Sequence, residues 1–455
     1  MYRRLYYTGI IAYIIMLILS IVYYKERIII LDTAYSLFHI TRKASFSLYA
    51  SRCGALLTQI LPVSAVKMGV SLDIATLCYS LGFTLYYSLC YILSGAVFRR
   101  YDLGLVLLLF NILFVTDTFY YIPSEFPQGI NFLIVGIAAL SSLKEKNVFY
   151  WVLLFSFFFG TAFFHPLMSV AILYSVLFFY FHKDSFFPKR ILFAFVFIYA
   201  FGVAVNNLFF RIDYDRHAIS GVKNFITLFP DYFTLYSDKQ FIRDCVRKYY
   251  WLPLGFTAVF ILYIHKGEWK KLLLFTCCFL GYLLLVNVSY PSINTPMVYM
   301  ENQYLPLAII LAYPLVFDLF PVLNNKRLAI PVLLIIMGTS FARVYTTHVK
   351  YASRLNCERT ILNQFTGRKV IADAKKVNAG VLQMLWGTPY EFWLLSTIEQ
   401  NKTASIIIDD HPEKLEWLSS LKNSLRVNWE TYPYNALPAR YFHFTDSASG
   451  YIINP

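Results

Sequence analysis

Apolar runs of about 20 residues recur along the first three quarters of this sequence, and a helix of that length crosses a bilayer. The 455 residues are 58% hydrophobic and only 15% charged, whereas a soluble chain has roughly 25% charged residues. We therefore predict an α-helical polytopic membrane protein with about eleven transmembrane helices, exterior juxtamembrane helices and a small C-terminal exterior α/β domain.

Short basic loops set the predicted orientation. A net charge of +14 would suggest nucleic acid in a soluble protein, but here much of the excess lies between apolar runs, so we predict no nucleic-acid partner. Five such loops fall on the side of the N-terminus, which the positive-inside rule places in the cytoplasm. They contain Arg99-Arg100, Lys144 and Lys146, Lys189-Arg190, Lys270-Lys271, and Lys326-Arg327.

A change in composition near Thr347 divides the chain. Residues 1–346 are the predicted transmembrane domain, with an exterior loop at 25–71 that carries a surface helix (48–68) and a second exterior loop at 211–250. Residues 347–455 are the predicted exterior domain, with β-like runs at 369–372 and 404–408. The predicted spans are 5–24, 72–95, 103–122, 126–143, a two-helix hairpin around His165-Pro166, 191–210, 251–264, 272–290, 304–321 and 328–345.

Asp32 is the first candidate for chemistry, because it follows the first apolar run in an otherwise apolar stretch. An ionisable residue at the mouth of a membrane helix is costly to desolvate and is a functional candidate by default. If an incoming hydroxyl lies within hydrogen-bond reach, the carboxylate can accept its proton as a general base. The alternative is a carboxylate that marks the membrane boundary and pairs with Arg42 or Arg52.

Basic and amide side chains of the exterior loops are candidates for binding a phosphate. Arg52 and Gln59 are seven residues apart and share one face of the predicted surface helix. Arg52 could contact a phosphate through two nitrogens, or its head could reach water while its stem lies along the helix. Arg211, Arg216 and Arg243 lie among aromatic residues, which suits an anionic lipid headgroup, although solvated ion pairs would explain them equally.

Further polar residues stand at the exterior ends of predicted spans. Glu125 and Gln128 begin the fourth span, Glu301 begins the tenth, and His165 lies at the turn of the hairpin. These side chains would converge if the spans pack as a bundle. Each could instead be a helix-end cap or a turn residue.

Several nucleotide-binding and hydrolytic motifs are missing from the sequence: a P-loop, a GxGxxG that opens a helix, HExxH and GxSxG. The predicted cytoplasmic loops are too short for a nucleotide-binding domain, so we expect exterior chemistry on a substrate that is already energised and attached to lipid. Seven cysteines without a CxxC pair predict neither a disulfide framework nor a metal site. Asp213, Asp215 and His217 alternate along the chain and leave a divalent metal as an unsupported alternative, and we predict no cofactor.

This arrangement resembles that of integral-membrane glycosyltransferases with the GT-C fold, over most of the chain as topology. Asp32, in the stretch LDTAY, stands where the family's acidic base stands, and the stretch with Arg52 and Gln59 is similar to the family's juxtamembrane helices. Many members carry two adjacent acidic residues, whereas here Thr33 follows Asp32, which favours a metal-free mechanism. The resemblance implies inverting transfer of a sugar from a polyprenyl-phosphate carrier, with basic residues of the exterior loops on the carrier phosphate.

The expected function is therefore transfer of a polyprenyl-phosphate-linked sugar to a glycan, lipid or protein acceptor, with Asp32 as general base. An O-antigen-type polymerase or ligase, a lipid or saccharide transporter without chemistry, and a membrane scaffold remain as alternatives. The expected location is a bacterial inner membrane, with the N-terminus in the cytoplasm, the C-terminal domain in the periplasm and membrane lipids as partners.

Overall fold

The computed structural model describes residues 1–48, 52–210, 221–291, 297–365, 369–445 and 449–454. The first helices are α1 (Tyr2–Val22), α2 (Tyr24–Ile28), α3 (Leu31–Lys43), α4 (Leu56–Lys67), α5 (Leu72–Ile92), α6 (Tyr101–Leu113), α7 (Asp117–Tyr120), α8 (Glu125–Ser142), α9 (Val148–Thr161), α10 (Met168–Phe181) and α11 (Lys189–Phe209). There follow α12 (Asn224–Thr227), α13 (Tyr236–Arg247), α14 (Trp251–Lys266), α15 (Trp269–Ser289), α16 (Met297–Pro314), α17 (Phe320–Asn325), α18 (Ala329–Gln364), α19 (Ala379–Leu382) and α20 (Thr388–Gln400). The strands are β1 (Lys369–Asp373), β2 (Ser405–Asp409), β3 (Ser424–Arg426), β4 (Thr431–Pro433) and β5 (Ile452–Asn454).

Six helices in the described part of the chain are long and apolar enough to cross a membrane, in agreement with a multi-pass membrane protein. They are α1, Leu72–Val97, α11, α15, Tyr299–Asn325 and α18. Four shorter apolar helices, α6, α9, α10 and α14, lie in further predicted spans. The total of about eleven spans stays a prediction.

Helices α6 and α16 form the centre of the bundle. Each of the residues at 103–114 and 304–318 is buried, and α6 packs against α1, α8, α16 and α18. A helix that is apolar on all sides has no face suited to water, so it takes the position with neighbours all round.

The predicted third span is not one helix, because α6 ends at Leu113 and the short α7 begins at Asp117. The buried Glu301 carboxylate accepts three backbone N–H groups at the start of α7, which gives that turn its own N-terminal cap. Asp117 is buried as well and pairs with Lys248 and Lys350, each at 3.1 Å. A buried aspartate needs such partners, and they come from distant parts of the chain.

The N-terminus and the predicted cytoplasmic loops meet at one end of the bundle. The Tyr2 hydroxyl donates to the carbonyl of Val316 at 3.2 Å, and the Arg100 guanidinium lies 3.4 Å from the ring centroid of Phe186. These contacts agree with the predicted alternation of the loops, and the assignment of this end to the cytoplasm remains a prediction.

The loop predicted at 25–71 is more helical than the sequence suggests, because α3 occupies 13 of its residues. The predicted surface helix at 48–68 begins later, at Leu56, and follows a short 3-10 turn. Its outer face carries the exposed Leu57, Ile60 and Leu61, while Gln59 on the opposite face is buried. That division agrees with an apolar face opposite Gln59. The prediction that Arg52 shares the helix face of Gln59 is wrong, because Arg52 precedes the 3-10 turn and lies outside α4.

The C-terminal part contains a three-stranded parallel sheet in the order β2-β1-β5, which confirms the two predicted β-like runs as β1 and β2. Helix α20 packs on β2 and on α3. Strands β3 and β4 form a separate antiparallel hairpin. Side chains of α3, such as Phe38, share one hydrophobic cluster with Trp393 of α20 and Phe442.

Helix α18 runs without interruption through the predicted domain boundary at 347. Its 36 residues give a length of about 54 Å, well beyond the roughly 30 Å of a bilayer core. Helix α18 packs against α20, and Leu355, Glu358 and Leu362 in the last turns of α18 are all buried. The C-terminal domain is thus attached through both α18 and α3.

Candidate functional site

A cavity of about 720 Å³ lies at the end of the bundle opposite Tyr2. Helices α3 and α4, the first turns of α8 and α16, the turn at 165–167 and the end of α15 all contribute to its wall. The C-terminal domain adds two tryptophans. Six of the residues predicted for the site line this cavity together: Asp32, Arg52, Gln59, Glu125, Gln128 and His165.

Asp32 lies in the first turn of α3 and is partly buried at the cavity wall. The Tyr121 hydroxyl donates a hydrogen bond to its Oδ2 atom. Burial raises the pKa of Asp32 to about 6, and the nearby Glu125 carboxylate adds to that rise, while the hydrogen bond from Tyr121 and the charge of Arg52 oppose it. A carboxylate that titrates close to neutral pH can hold a proton during catalysis and release it afterwards.

The backbone just before Asp32 is held in an unfavourable conformation. Leu31 has a φ of +40°, in the left-handed region that costs a non-glycine residue about 1–3 kcal/mol. Its N–H group donates to the buried Glu391 carboxylate at 2.5 Å. Arg354 of α18 donates to both oxygens of that carboxylate, at 2.7 and 2.5 Å. The direction in which Asp32 leaves the backbone is therefore fixed by α18 and α20.

Arg52 and Glu125 form an ion pair at the cavity wall, with 2.9 Å between Nη1 and Oε2. Both side chains are largely but not fully buried, at 15% and 14% exposure. A pair in this setting is stronger than one on an open surface, because water screens it less. The positive charge of the guanidinium lies on the cavity wall, so it would attract an anion that enters the cavity.

His165 is a neutral side chain on the cavity wall. Its Nδ1 atom accepts the backbone N–H of Leu167 at 3.1 Å, which leaves the proton on Nε2. Burial holds the pKa of His165 well below its usual value, and the positive charge of Arg52 contributes in the same direction. Arg52 and His165 thus offer one charged and one neutral donor to the same space.

The two glutamines brace the cavity wall. Gln59 donates to the Ser47 carbonyl and accepts the Ser47 N–H, both at 2.8 Å, so both ends of its amide are engaged by one backbone unit. Gln128 accepts from the hydroxyl of Thr58 at 3.3 Å and donates to the carbonyl of Ser124 at 3.4 Å. These contacts link α4 to α8 and to the chain before α4.

Glu301 is not among the described residues that line the cavity. It is fully buried, and besides the backbone of α7 it accepts the hydroxyls of Thr116, Thr118 and Tyr249, the last two at 2.7 Å. Its carboxylate therefore joins α6, α7, α14 and α16 and is committed to that structural role.

Two of the three predicted basic residues of the second exterior loop, Arg211 and Arg216, lie outside the described residues, as do Asp213, Asp215 and His217. Arg243 is exposed on α13, donates to the neighbouring Gln240 and is absent from the described cavity lining. Among the described residues, no group of three or more His, Cys, Asp or Glu side chains is arranged to hold a metal ion.

An aromatic wall completes the cavity, and sequence reasoning did not identify it. Trp386 and Trp429 stack with ring centroids 5.2 Å apart and an interplanar angle of 27°. Tyr35, one turn after Asp32 on α3, lies edge-on to Trp429 at 6.5 Å. Tyr121 and Glu391 were also missed, since neither stands near Asp32 in sequence.

Searches against protein-family models, curated proteins and solved structures found no match to this chain.

Proposed function

We propose that this chain is a membrane glycosyltransferase that moves a sugar from a polyprenyl-phosphate-linked donor to an acceptor hydroxyl. The observation that carries the proposal is the presence of Asp32 and the Arg52 guanidinium on the wall of one cavity at the end of an apolar helical bundle. A base for the acceptor and a cation for the leaving phosphate are the two groups that such a transfer requires.

In the proposed step, the Asp32 carboxylate removes the proton from the acceptor hydroxyl as its oxygen attacks the anomeric carbon. The new C–O bond forms on one face of the sugar while the bond from the anomeric carbon to the phosphate oxygen breaks on the other, so the configuration inverts. The polyprenyl phosphate leaves with the electron pair of the broken bond. Arg52 stabilises the added negative charge and the Nε2–H group of His165 donates to a phosphate oxygen.

The apolar side of the cavity suits the carrier lipid. Leu285 and Val286 come from the last turns of the membrane helix α15, and the exposed Val222 and the turn residue Leu167 lie on the same cavity wall. An isoprenoid chain that leaves the bilayer at this point would bury its first units against these side chains, which favours binding by about 25 cal/mol per Å² of apolar surface.

Binding of the carrier can be tested directly with decaprenyl phosphate. The full-length protein in phosphatidylcholine nanodiscs would be saturated with this lipid and its structure determined by cryo-electron microscopy. We expect the phosphate at hydrogen-bond distance from Arg52, with the Asp32 carboxylate facing the position of the missing sugar. Density for the lipid only outside this cavity would contradict the proposal.

Transfer can be tested with tritiated hexoses and pentoses carried on decaprenyl phosphate and with cell membranes as the acceptor source. Loss of a general base slows such a reaction by about 10²–10⁴-fold, which is the loss expected for Asp32→Asn. Asp73→Asn is the matched control, because Asp73 is exposed at the start of α5 and bonds to Tyr24. Equal transfer by the two variants would refute the role of Asp32.

A further inference from the structure

The indole pair formed by Trp386 and Trp429 belongs to the C-terminal domain but lines the cavity that contains Asp32. Trp429 is 62% exposed, which is unusual for the largest apolar side chain. Trp393 in the same domain, by contrast, is completely buried. An indole left open at a cavity wall provides a flat apolar face for a ligand.

The two indoles are held on rigid backbone. Trp429 stands in the tight turn between β3 and β4, which closes with a bond from the Val427 N–H to the Glu430 carbonyl at 3.0 Å. The Arg426 side chain crosses this turn and donates to the carbonyl of Asn428 at 2.9 Å. A ring presented in this way loses little conformational entropy when a ligand binds.

Trp386 is fixed by close packing of its neighbour on α3. Gly387 has no side chain, and a Cβ atom there would lie 2.9 Å from the Cα atom of Leu31, closer than real contacts allow. This approach holds the turn with Trp386 directly against the residue that precedes Asp32. The indole pair and the proposed base are therefore parts of one rigid unit.

The cavity has two chemically different sides, with Asp32 between them. On the bundle side, Tyr121 donates to Asp32 and contacts Tyr299 at the start of the helix Tyr299–Asn325. The rings of Tyr121 and Tyr299 are 5.5 Å apart and meet edge to face. On the domain side, Tyr35 joins α3 to the indole pair. A carrier lipid must remain on the bundle side, because its chain stays in the bilayer. The domain side is left for the second substrate.

We propose that the indole pair binds a saccharide ring of the acceptor, so that the acceptor of the proposed transfer is a glycan. This inference rests on the proposed function. The C–H groups on one face of a pyranose carry partial positive charge and pack on the negative face of an indole. The hydroxyls around the ring edge remain in contact with water and with the polar Ser36 and Ser47, which line the same cavity. One hydroxyl of the bound ring would then extend from the indoles toward Asp32.

The test uses an array of immobilised bacterial and plant oligosaccharides, probed with the fluorescently labelled full-length protein in nanodiscs. We expect binding to a defined set of glycans and a loss of about tenfold or more in apparent affinity for Trp429→Ala. Trp429→Phe keeps an aromatic face and should retain most of the binding. Trp417→Ala is the matched control, since Trp417 is 54% exposed and is not among the described residues that line the cavity.

Absence of glycan binding, or equal binding by Trp429→Ala and the wild type, would overturn the inference. Binding of immobilised peptides in place of glycans, lost in Trp429→Ala, would overturn it as well and make the acceptor a protein. The glycan-binding proposal and the proposed transfer can fail independently. Glycan binding is measured without transfer, and the transfer assay with Asp32→Asn does not depend on the indole pair. In a transfer assay, Trp429→Ala should raise the acceptor KM with little change in kcat.

Discussion

Substitution of Glu391 by glutamine tests whether the C-terminal domain sets the conformation of the backbone at Asp32. The carboxylate accepts the Leu31 N–H and two contacts from Arg354 inside a buried environment. Glutamine keeps the size of the side chain and one oxygen for the Leu31 N–H, but it removes the negative charge and points an N–H₂ group toward the guanidinium. Arg354 is then left as a buried cation without its main partner.

The cost follows from the contacts. Removal of one partner from a buried ion pair lowers the free energy of unfolding by about 3–5 kcal/mol. Glu358 lies 3.3 Å from the Nε atom of Arg354 and retains part of the compensation, so we expect the lower end, about 3 kcal/mol. Glu358→Gln is the matched control: it is an equally buried carboxyl-to-amide change beside the same arginine, but Glu358 is not the acceptor of the Leu31 N–H. Its cost should be smaller, about 1 kcal/mol, because Arg354 keeps both contacts to Glu391 and the Leu31 N–H keeps its charged acceptor.

Stability can be measured by unfolding in mixed micelles with increasing SDS. The local effect can be measured by hydrogen exchange on the peptide that contains Leu31. Its N–H should exchange faster in Glu391→Gln, because a neutral amide oxygen is a weaker acceptor than a carboxylate, and at the wild-type rate in Glu358→Gln. A merely structural role for Glu391 would destabilise the protein without a selective effect at that peptide. Equal destabilisation by the two variants, or unchanged exchange at Leu31, would refute the reasoning.

Four further outcomes follow from the structure. Because burial raises the pKa of Asp32 to about 6 and the carboxylate is the active form, transfer should fall as the pH drops through about 6 in a kcat/KM profile. Tyr121→Phe removes the bond that opposes this rise, so the acid limb should move up by about one pH unit, and an unmoved limb would argue against Asp32 as the titrating group. Glu301→Gln should lower the free energy of unfolding in SDS titration by about 3 kcal/mol, because several buried N–H and O–H donors would face an amide. A variant that is stable but no longer binds decaprenyl phosphate would instead make Glu301 a ligand residue. Gly82→Ala should lower the thermal midpoint, since its Cβ would lie 2.3 Å from the Thr58 carbonyl and push α4 from α5, and an unchanged midpoint would show that α4 can shift freely.

The elements with a local signal could be predicted from the sequence. The apolar runs predict the membrane helices, and β-branched runs predict β1 and β2. Polar residues at the ends of apolar runs correctly indicate convergence on one cavity, which Asp32, Arg52, Glu125 and His165 all line. These residues lie at the same end of the bundle because successive spans cross in opposite directions, and that alternation can be read from the order of the spans.

Contacts between distant segments could not be predicted in this way. Leu31 and Glu391 are 360 residues apart, and nothing near either residue indicates the bond between them. The break after Leu113 depends on Glu301, and in sequence the apolar run simply continues past Asp117. In the sequence, Trp386 and Trp429 cannot be distinguished from core tryptophans. Only the fold, through the turn that contains Trp386 and the hairpin of β3 and β4, brings them together at the cavity.

Because α18 is uninterrupted, the number of residues in it determines the position and orientation of the C-terminal domain. Each residue added to an α-helix rotates whatever follows by about 100° and moves it by about 1.5 Å. A single insertion between the bilayer and Arg354 would therefore swing the guanidinium to another face and carry the indoles away from Asp32. Surface loops of this protein can change in length without such an effect, whereas the length of α18 sets both the height of the C-terminal domain above the bundle and its rotation about the helix axis. An insertion of one residue should separate the indoles from Asp32 mainly through rotation. An insertion of seven, close to two full turns, should nearly restore the angle but separate them through a rise of about 10 Å.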